Sequence, residues 1–163
     1  MLLLKVHSST LLWISIIIIF LTSCSQKSSL PAGDIDNGGL FLPDKFEAVV
    51  VVDSIGRARH MAVNKNGDIY VKLTNAKQDA GIVALRDLGS DGKVDSITYF
   101  GDYKAEKGYG PTEMRIYNGY IYFSTKDAIY RYKLTPNKLV PESKIEDVLR
   151  YGIDTSHIGK TLA

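Results

Sequence analysis

The sequence predicts an all-β domain, and three observations lead to this prediction. Beyond residue 40, short runs of β-branched and aromatic residues are separated by turns rich in Gly, Asn and Asp. The same stretch of sequence has no apolar periodicity long enough for an amphipathic helix. Two similar segments, "NGDIYV" from Asn66 and "NGYIYF" from Asn118, repeat after about 50 residues.

Each expected strand is an alternating or fully apolar run that ends at a turn. The two Asn-Gly pairs are expected to form hairpin turns, because both residue types tolerate a positive φ. The expected strands cover residues 46–52, 58–63, 68–73, 81–86, 95–100, 113–117, 120–124, 128–134 and 145–151.

The repeat predicts the architecture. Each copy has a strand before Asn-Gly, a strand after it, a third strand ("GIVALRD" or "AIYRYKL") and a fourth. Four antiparallel strands in about 50 residues are typical of a β-propeller blade. "KTLA" from Lys160 matches "RHMA" from Arg59 about two periods earlier, and is expected to open a third blade. Because a propeller closes with at least about four blades, we expect residues 40–163 to be an incomplete propeller domain from the N-terminal part of a longer protein.

The N-terminal residues predict export and anchoring. An apolar run from Leu11 to Leu21 follows Lys5 and His7, and as a helix it would rise roughly 16 Å, too short for a bilayer core of about 30 Å. "LTSC" resembles a bacterial lipoprotein cleavage box, which implies a signal peptide over 1–23 and a lipid on Cys24. An unmodified Cys24 after an ordinary signal peptide is the alternative. Residues 24–39, rich in Ser, Gly, Asp and Asn, are expected to be a flexible tether to the membrane of the bacterial cell envelope, facing the periplasm or the exterior.

Composition argues against a nucleic-acid-binding surface and excludes an intrachain disulfide. The 163-residue chain has a formal net charge of +2, and its charges are interspersed without a basic block. A nucleic-acid-binding surface requires clustered Lys and Arg, so nucleic acid is not expected as a partner. Since Cys24 is the only cysteine, no intrachain disulfide can form.

Four segments resemble the sorbosone dehydrogenase-like family, which is related to the soluble glucose dehydrogenases that use pyrroloquinoline quinone. They are "GRARHMAVNKNGDIYVKL" (56–73), "GIVALRDLGSDGKVD" (81–95), "NGYIYFSTKDAIYRYKL" (118–134) and "HIGKTLA" (157–163). The resemblance implies a six-bladed propeller that holds the quinone over its axis and oxidises a sugar or a related alcohol or aldehyde. For the intact protein it also allows a calcium ion and a cytochrome as electron acceptor.

The resemblance also implies roles for particular residues. His157 is expected to be the general base that takes the substrate proton, since an unperturbed His titrates near neutral pH. Lys160 is expected to bind a carboxylate of the quinone, although its spacing from His157 departs by one residue from the related enzymes. Arg57, Arg59 and His60 precede the first inner strand, the position matched to His157 and Lys160, and their cationic groups suit an anionic cofactor. Solvated surface residues are the alternative for this set.

"DLGSDGKVD" places Asp87, Asp91 and Asp95 in a pattern that partly matches a calcium loop, with Gly89 where a ligand would stand. A hairpin loop capped by its own Asp side chains is the preferred interpretation. Two other functions remain open at this point: a non-catalytic propeller that serves as a binding module of the envelope, and a metal-dependent lactonase-type propeller.

Overall fold

The computed structural model describes residues 30–101, 113–125, 127–142 and 144–151. Apart from Leu30, these residues belong to one compact unit, Pro31–Ala163. The described residues form two four-stranded antiparallel sheets and a single short 3₁₀ turn, Asn37–Gly39. No helix in this described part of the chain has the length and apolar character needed to span a membrane. The expected all-β class is confirmed.

Both sheets have the strand order of the sequence. The first sheet contains β1 (Ala58–Val63), β2 (Ile69–Lys77), β3 (Ala80–Arg86) and β4 (Ser96–Phe100). The second sheet contains β5 (Met114–Tyr117), β6 (Tyr120–Ser124), β7 (Ala128–Lys133) and β8 (Glu146–Arg150).

The two Asn-Gly hairpins differ in length. Asn118 and Gly119 have φ values of 50° and 77° and form a two-residue turn that places Tyr117 opposite Tyr120. In the first sheet the backbone N–H of Asn64 donates to the carbonyl of Asp68 at 2.8 Å. The loop enclosed by that pair is one residue longer than the turn at Asn118, so β1 and β5 are offset by one residue relative to the sequence repeat.

The register shows which positions are equivalent in the two sheets. Met61 lies opposite Val71 in the first sheet, and Met114 lies opposite Phe123 in the second. Further equivalent pairs follow from the same registers: Val63 with Ile116, Ala62 with Arg115, Tyr70 with Tyr122, Ile82 with Ile129, Ala84 with Arg131 and Phe100 with Leu149. The sequence repeat is therefore also a repeat of structure.

The main core lies between the two sheets. One face of the first sheet packs on one face of the second, and strand β1 lies beside β5. We call these the contact faces. The first sheet contributes Ala62, Tyr70, Ile82, Ala84 and Phe100, and the second contributes Met114, Ile116, Ile121, Phe123, Ala128, Tyr130 and Tyr132. Edge-to-face ring contacts join Phe100 to both Tyr70 and Tyr132, with centroids 6.1 Å and 5.7 Å apart.

A second, smaller core lies on the opposite face of the first sheet, which we call its outer face. Val52 and Ile55 pack there on the outer-face residues Val71, Val83 and Leu85. Two backbone carbonyls of the segment before β1 accept hydrogen bonds from the first sheet and its loops. The Val94 N–H donates to the Val51 carbonyl at 3.1 Å, and the Tyr99 hydroxyl donates to the Ile55 carbonyl at 3.0 Å.

The prediction of a strand over 46–52 is wrong. Residues 46–52 pair with no strand among the described residues. Val52 instead packs on the outer face of the first sheet, while Phe46 and Val50 are exposed. Residues 30–39 are the described part of the expected tether. There, Asp34 accepts a hydrogen bond from the Val50 N–H at 2.7 Å and pairs with the Lys93 ammonium at 2.6 Å.

Candidate anion site at the start of the first strand

Three of the predicted binding residues lie together along the chain at the start of β1. Arg57 directly precedes the strand, and its carbonyl accepts a hydrogen bond from the Thr74 N–H at 2.8 Å. Arg59 and His60 are the second and third residues of the strand. These contacts with β2 fix the backbone from which the three side chains project.

A β-bulge is centred on Arg59. Ala58 lies opposite Leu73 and His60 lies opposite Lys72, so Arg59 has no opposite residue on β2. A bulge inserts one residue into a strand, bends it and changes the direction in which the side chain points. At Arg59 the bulge therefore interrupts the regular alternation of side chains between the two faces of the sheet.

The two guanidinium groups are available to a ligand. Arg57 and Arg59 are exposed, and neither side chain forms a hydrogen bond or ion pair with any other described residue. His60 is half-buried and likewise has no side-chain partner in the described ranges. An Arg without a carboxylate partner keeps its N–H donors for an incoming anion, which it can bind in bidentate geometry.

An apolar groove of about 490 Å³ adjoins these residues. Arg59 and His60 line it together with Ala58, and the remainder of its wall is apolar: Val51, Val52, Ile55, Met61, Val63, Ile69, Val71 and Leu85. An apolar cleft with a few polar groups at its rim is the usual form of a small-molecule site. The described arrangement suits a ligand that combines an anionic group with an apolar body.

Sequence reasoning missed Lys72, which lies opposite His60 on β2. Its side chain is 4 % exposed, and its ammonium lies 4.7 Å from the centroid of the Phe123 ring, between the two sheets. A cation over an aromatic face is stabilised by the ring quadrupole. The detectable sign in the sequence is a Lys inside the apolar run "YVKL", where an exposed position is not expected.

A carboxylate stands near the start of the corresponding strand of the second sheet. Glu113 directly precedes β5, and its carboxylate accepts a hydrogen bond from Arg115 at 3.0 Å. The start of β5 therefore differs from the start of β1, where Arg57 and Arg59 have no paired acid within the described ranges.

Three predicted functional residues lie outside the described residues: His157, Lys160 and Cys24. Their expected roles as general base, quinone ligand and lipidation site remain predictions.

The acidic loop between β3 and β4 is capped by its own side chains, as predicted. Asp87 accepts hydrogen bonds from the N–H groups of Ser90 and Gly92 at 2.6 Å and 2.8 Å, and Asp95 accepts from Leu88 at 2.6 Å. Among the described residues, no group of three or more His, Cys, Asp or Glu side chains is arranged to hold a metal ion.

Comparisons of this chain with protein-family models, with curated proteins and with solved structures find no match.

Proposed function

We propose that the two sheets are neighbouring blades of a β-propeller in which β1 and β5 line the central channel. The support is their common strand order, their common register and the stacking of one sheet on the other with the first strands side by side. Stacking of this kind is what a ring of four-stranded sheets requires of each neighbouring pair.

On this scaffold, the proposed function is that of a quinone-dependent oxidoreductase that oxidises a sugar or a related alcohol or aldehyde. The observation that carries the proposal is the pair of exposed arginines, Arg57 and Arg59, at the start of β1, which have no acidic partner in the part of the chain that the structure describes. Pyrroloquinoline quinone has three carboxylates, so it matches such donors in charge and geometry.

Each residue has a proposed part. Arg57 and Arg59 bind carboxylates, and the half-buried His60 contributes a further donor beside them. Lys160 adds an ammonium to the same ligand, and His157 accepts the substrate hydroxyl proton. The bound quinone supplies the acceptor for the hydride. Calcium and a cytochrome acceptor belong to the same proposal for the intact protein.

Binding can be tested separately from turnover. We expect pyrroloquinoline quinone, titrated calorimetrically into the protein, to bind about tenfold or more weakly after Arg59→Ala, because one charge-assisted contact is lost. Lys65→Ala is the matched control, since Lys65 is an exposed cation without an ion-pair partner in the described ranges, just beyond the other end of β1. If both variants weakened quinone binding equally, the effect would reflect only the net charge of the protein, and Arg59 would not be part of a quinone-binding site.

Turnover tests the chemical part of the proposal. With an artificial electron acceptor and a series of aldoses and ketoaldoses, His157→Ala should lower kcat by about 10²–10⁴ while quinone affinity persists. Quinone binding without turnover on any sugar would favour the second candidate, a non-catalytic binding module. The apolar groove beside Arg59 supports that candidate as well, because it offers a binding surface with no catalytic group besides His60.

The proposed location is the bacterial cell envelope, with the protein attached to the membrane through a lipid on Cys24. Mass spectrometry of the protein from its native host tests this proposal. A diacylglyceryl mass on the cysteine at a new N-terminus is the expected result, and an unmodified thiol would contradict it.

A further inference from the structure

Residues 34–48, which we call the N-terminal loop, close on themselves before the first sheet begins. At the base of the loop, the Asp34 N–H donates to the Ala48 carbonyl at 2.8 Å. The Ala48 N–H in turn donates to the Asn37 side chain at 3.0 Å. A compact surface loop whose two ends lie close together is a common carrier of function.

Acidic side chains hold the N-terminal loop at its base. Asp36 accepts a hydrogen bond from the Gly38 N–H at 3.1 Å, and Glu47 accepts one from the Gly33 N–H at 2.8 Å. These carboxylates satisfy backbone donors that the irregular chain would otherwise leave to water.

The far end of the loop presents large apolar side chains to solvent. Leu40, Phe41 and Phe46, which we call the apolar tip, are 59 %, 105 % and 67 % exposed. Within the described part of the chain they belong to neither hydrophobic core. A single exposed apolar residue is ordinary, but a group of them on one loop indicates a surface that binds apolar material.

The N-terminal loop is attached at the end of the first sheet that lies away from the anion site. Its Asp34 carboxylate pairs at 2.6 Å with Lys93, on the loop after β3. Because neighbouring strands are antiparallel, β1 and β3 run in the same direction, so the end of β3 and Arg57 at the start of β1 lie at opposite ends of the sheet. Neighbouring blades of a propeller stack on the faces of the sheets, so the proposed ring leaves this end accessible.

From this arrangement we propose that the apolar tip inserts into a lipid bilayer and holds the protein with its anion site directed away from the membrane. The inference rests on the proposed attachment to the cell envelope and is independent of the proposed oxidation. Cys24, the proposed lipidation site, is seven residues before Pro31. An extended chain of that length spans at most about 25 Å, so the lipid keeps the base of the loop near the membrane surface.

The side chains of the tip favour lipid as the occupant. Leu and Phe gain free energy when they leave water, and such side chains enter the boundary between headgroups and acyl chains. Asp44 and Lys45 lie within the same stretch, are both exposed and have opposite charges. Their charged groups can stay among the headgroups while the apolar side chains insert, so insertion should not require anionic lipid.

Fluorescence quenching by lipid measures this insertion. Full-length protein purified from the envelope of its host carries an environment-sensitive fluorophore on one introduced cysteine, either Leu40→Cys or the control Ala76→Cys. Ala76 is exposed on β2, near the end of the first sheet that carries Arg57. The proteins are reconstituted into phosphatidylcholine vesicles that contain a lipid with a spin label on its acyl chain. The unsubstituted chain, treated in the same way, gives the background from Cys24.

The quenching constant for Leu40→Cys should exceed that for Ala76→Cys by about tenfold or more, because an inserted side chain lies at the depth of the acyl chains. Phe41→Asp should lower the quenching of the Leu40→Cys label by about tenfold, since a carboxylate resists transfer out of water. Phe41→Leu is the matched control and should retain the quenching. Equal quenching at the two labelled sites, or equal quenching with Phe41→Asp and Phe41→Leu, would overturn the inference.

Two further outcomes are informative. An unquenched label at the tip, together with a lower unfolding midpoint for Phe41→Asp, would show that the tip packs on another part of the protein, and would overturn the insertion. Mass spectrometry of Cys24 in the same samples separates this inference from the proposed anchor. A lipid on Cys24 without quenching at the tip would contradict only the insertion. Quenching above background with an unmodified Cys24 would support the insertion and contradict the anchor.

Discussion

Arg86 donates two hydrogen bonds to the carboxylate of Asp68, at 2.6 Å and 2.7 Å, and thereby joins the third strand of the first sheet to the end of its first hairpin. Asp68 is 1 % exposed, and Asn66 donates to the same carboxylate at 2.8 Å. A buried carboxylate is tolerated only with such a full set of donors. This ion pair holds the hairpin of the Asn66 motif against β3.

Asp68→Ala should lower the free energy of unfolding by about 2–4 kcal/mol, because it removes a buried pair and leaves Arg86 without its partner. Urea denaturation followed by circular dichroism measures the change. Glu146→Ala provides the comparison, since it breaks a more exposed pair, in which Arg131 and Glu146 lie 2.8 Å apart on the second sheet. A loss for Asp68→Ala no larger than for Glu146→Ala would show that burial adds nothing to the first pair.

The same carboxylate should make stability sensitive to acid. Burial by itself would raise the pKa of Asp68, but the hydrogen bonds from Arg86 and Asn66 outweigh it and lower the pKa below its ordinary value. The folded state therefore binds the proton less readily than the unfolded state, and the stabilisation is fully present above the unfolded pKa of about 4. It should be lost as the pH falls through the lower, folded pKa.

Unfolding free energies measured from neutral pH down to about pH 2 test this dependence. We expect the wild-type protein to lose more stability across that range than Asp68→Asn, which has no titratable group at this position. If the unfolding free energies of the two proteins fell in parallel with pH, the loss of stability could not be assigned to protonation of Asp68.

Tyr70 connects the two sheets through its hydroxyl, which donates to the Leu139 carbonyl at 3.0 Å. Tyr70→Phe keeps the ring in the core and removes the hydrogen bond, so the expected loss is about 1 kcal/mol in thermal or urea unfolding. Tyr117→Phe is the control, since Tyr117 is 69 % exposed and its hydroxyl has no hydrogen-bond partner among the described residues. If Tyr70→Phe caused no loss, the hydrogen bond would not contribute to joining the sheets.

Tyr70 should also ionise late. Burial, followed by the negative charge of Asp68, raises the pKa of Tyr70 to about 12. A raised folded pKa means that the stabilisation is present below the unfolded value of about 10 and is lost as the pH rises towards 12. Burial also raises the pKa of Tyr130 and of Tyr151, so ultraviolet titration of the wild-type protein should show a late phase above pH 10 to which Tyr70 contributes. Tyr70→Phe should reduce the amplitude of this late phase by one tyrosine. An unchanged amplitude would assign the late phase to the other tyrosines alone.

Gly119 has φ of 77°, in the left-handed region that a residue with a Cβ rarely adopts. An added Cβ would meet no atom within 4 Å, so Gly119→Ala should cost only the backbone strain, about 1–2 kcal/mol. Gly89→Ala is the matched control, because Gly89 is a loop glycine with an ordinary φ and ordinary contacts. Equal stability of both variants would show that the turn changes its conformation at no cost.

Several elements could be predicted from local sequence alone. The strands Ala58–Val63 and Tyr120–Ser124 match the predicted residues, because alternation of apolar residues and adjacent turn residues mark both ends. The strand predicted over 68–73 extends as β2 to Lys77. Its hairpin turn uses Gln78 and Asp79 at φ of 54° and 58°, residues without the Gly that announces such a turn.

The candidate site was predictable only in part. The repeat predicted that Arg57, Arg59 and His60 lie near the start of a strand. Only Arg57 precedes β1, and Arg59 and His60 belong to it. The bulge at Arg59 and the burial of Lys72 depend on the register between β1 and β2. Register is a relation between segments distant in sequence, and a shift of one residue reverses the faces.

The order of strands, the Asn-Gly turns and the repeat of about 50 residues were determined by the sequence itself, since they depend on local conformational preference and periodicity. Only the tertiary structure decided that 46–52 forms no strand and that Val52 packs on the outer face of the first sheet. It also decided that Met114 is buried and Met61 exposed, although the two have equivalent registers. The reason is that burial depends on which surface covers a residue, and a covering surface comes from another part of the chain.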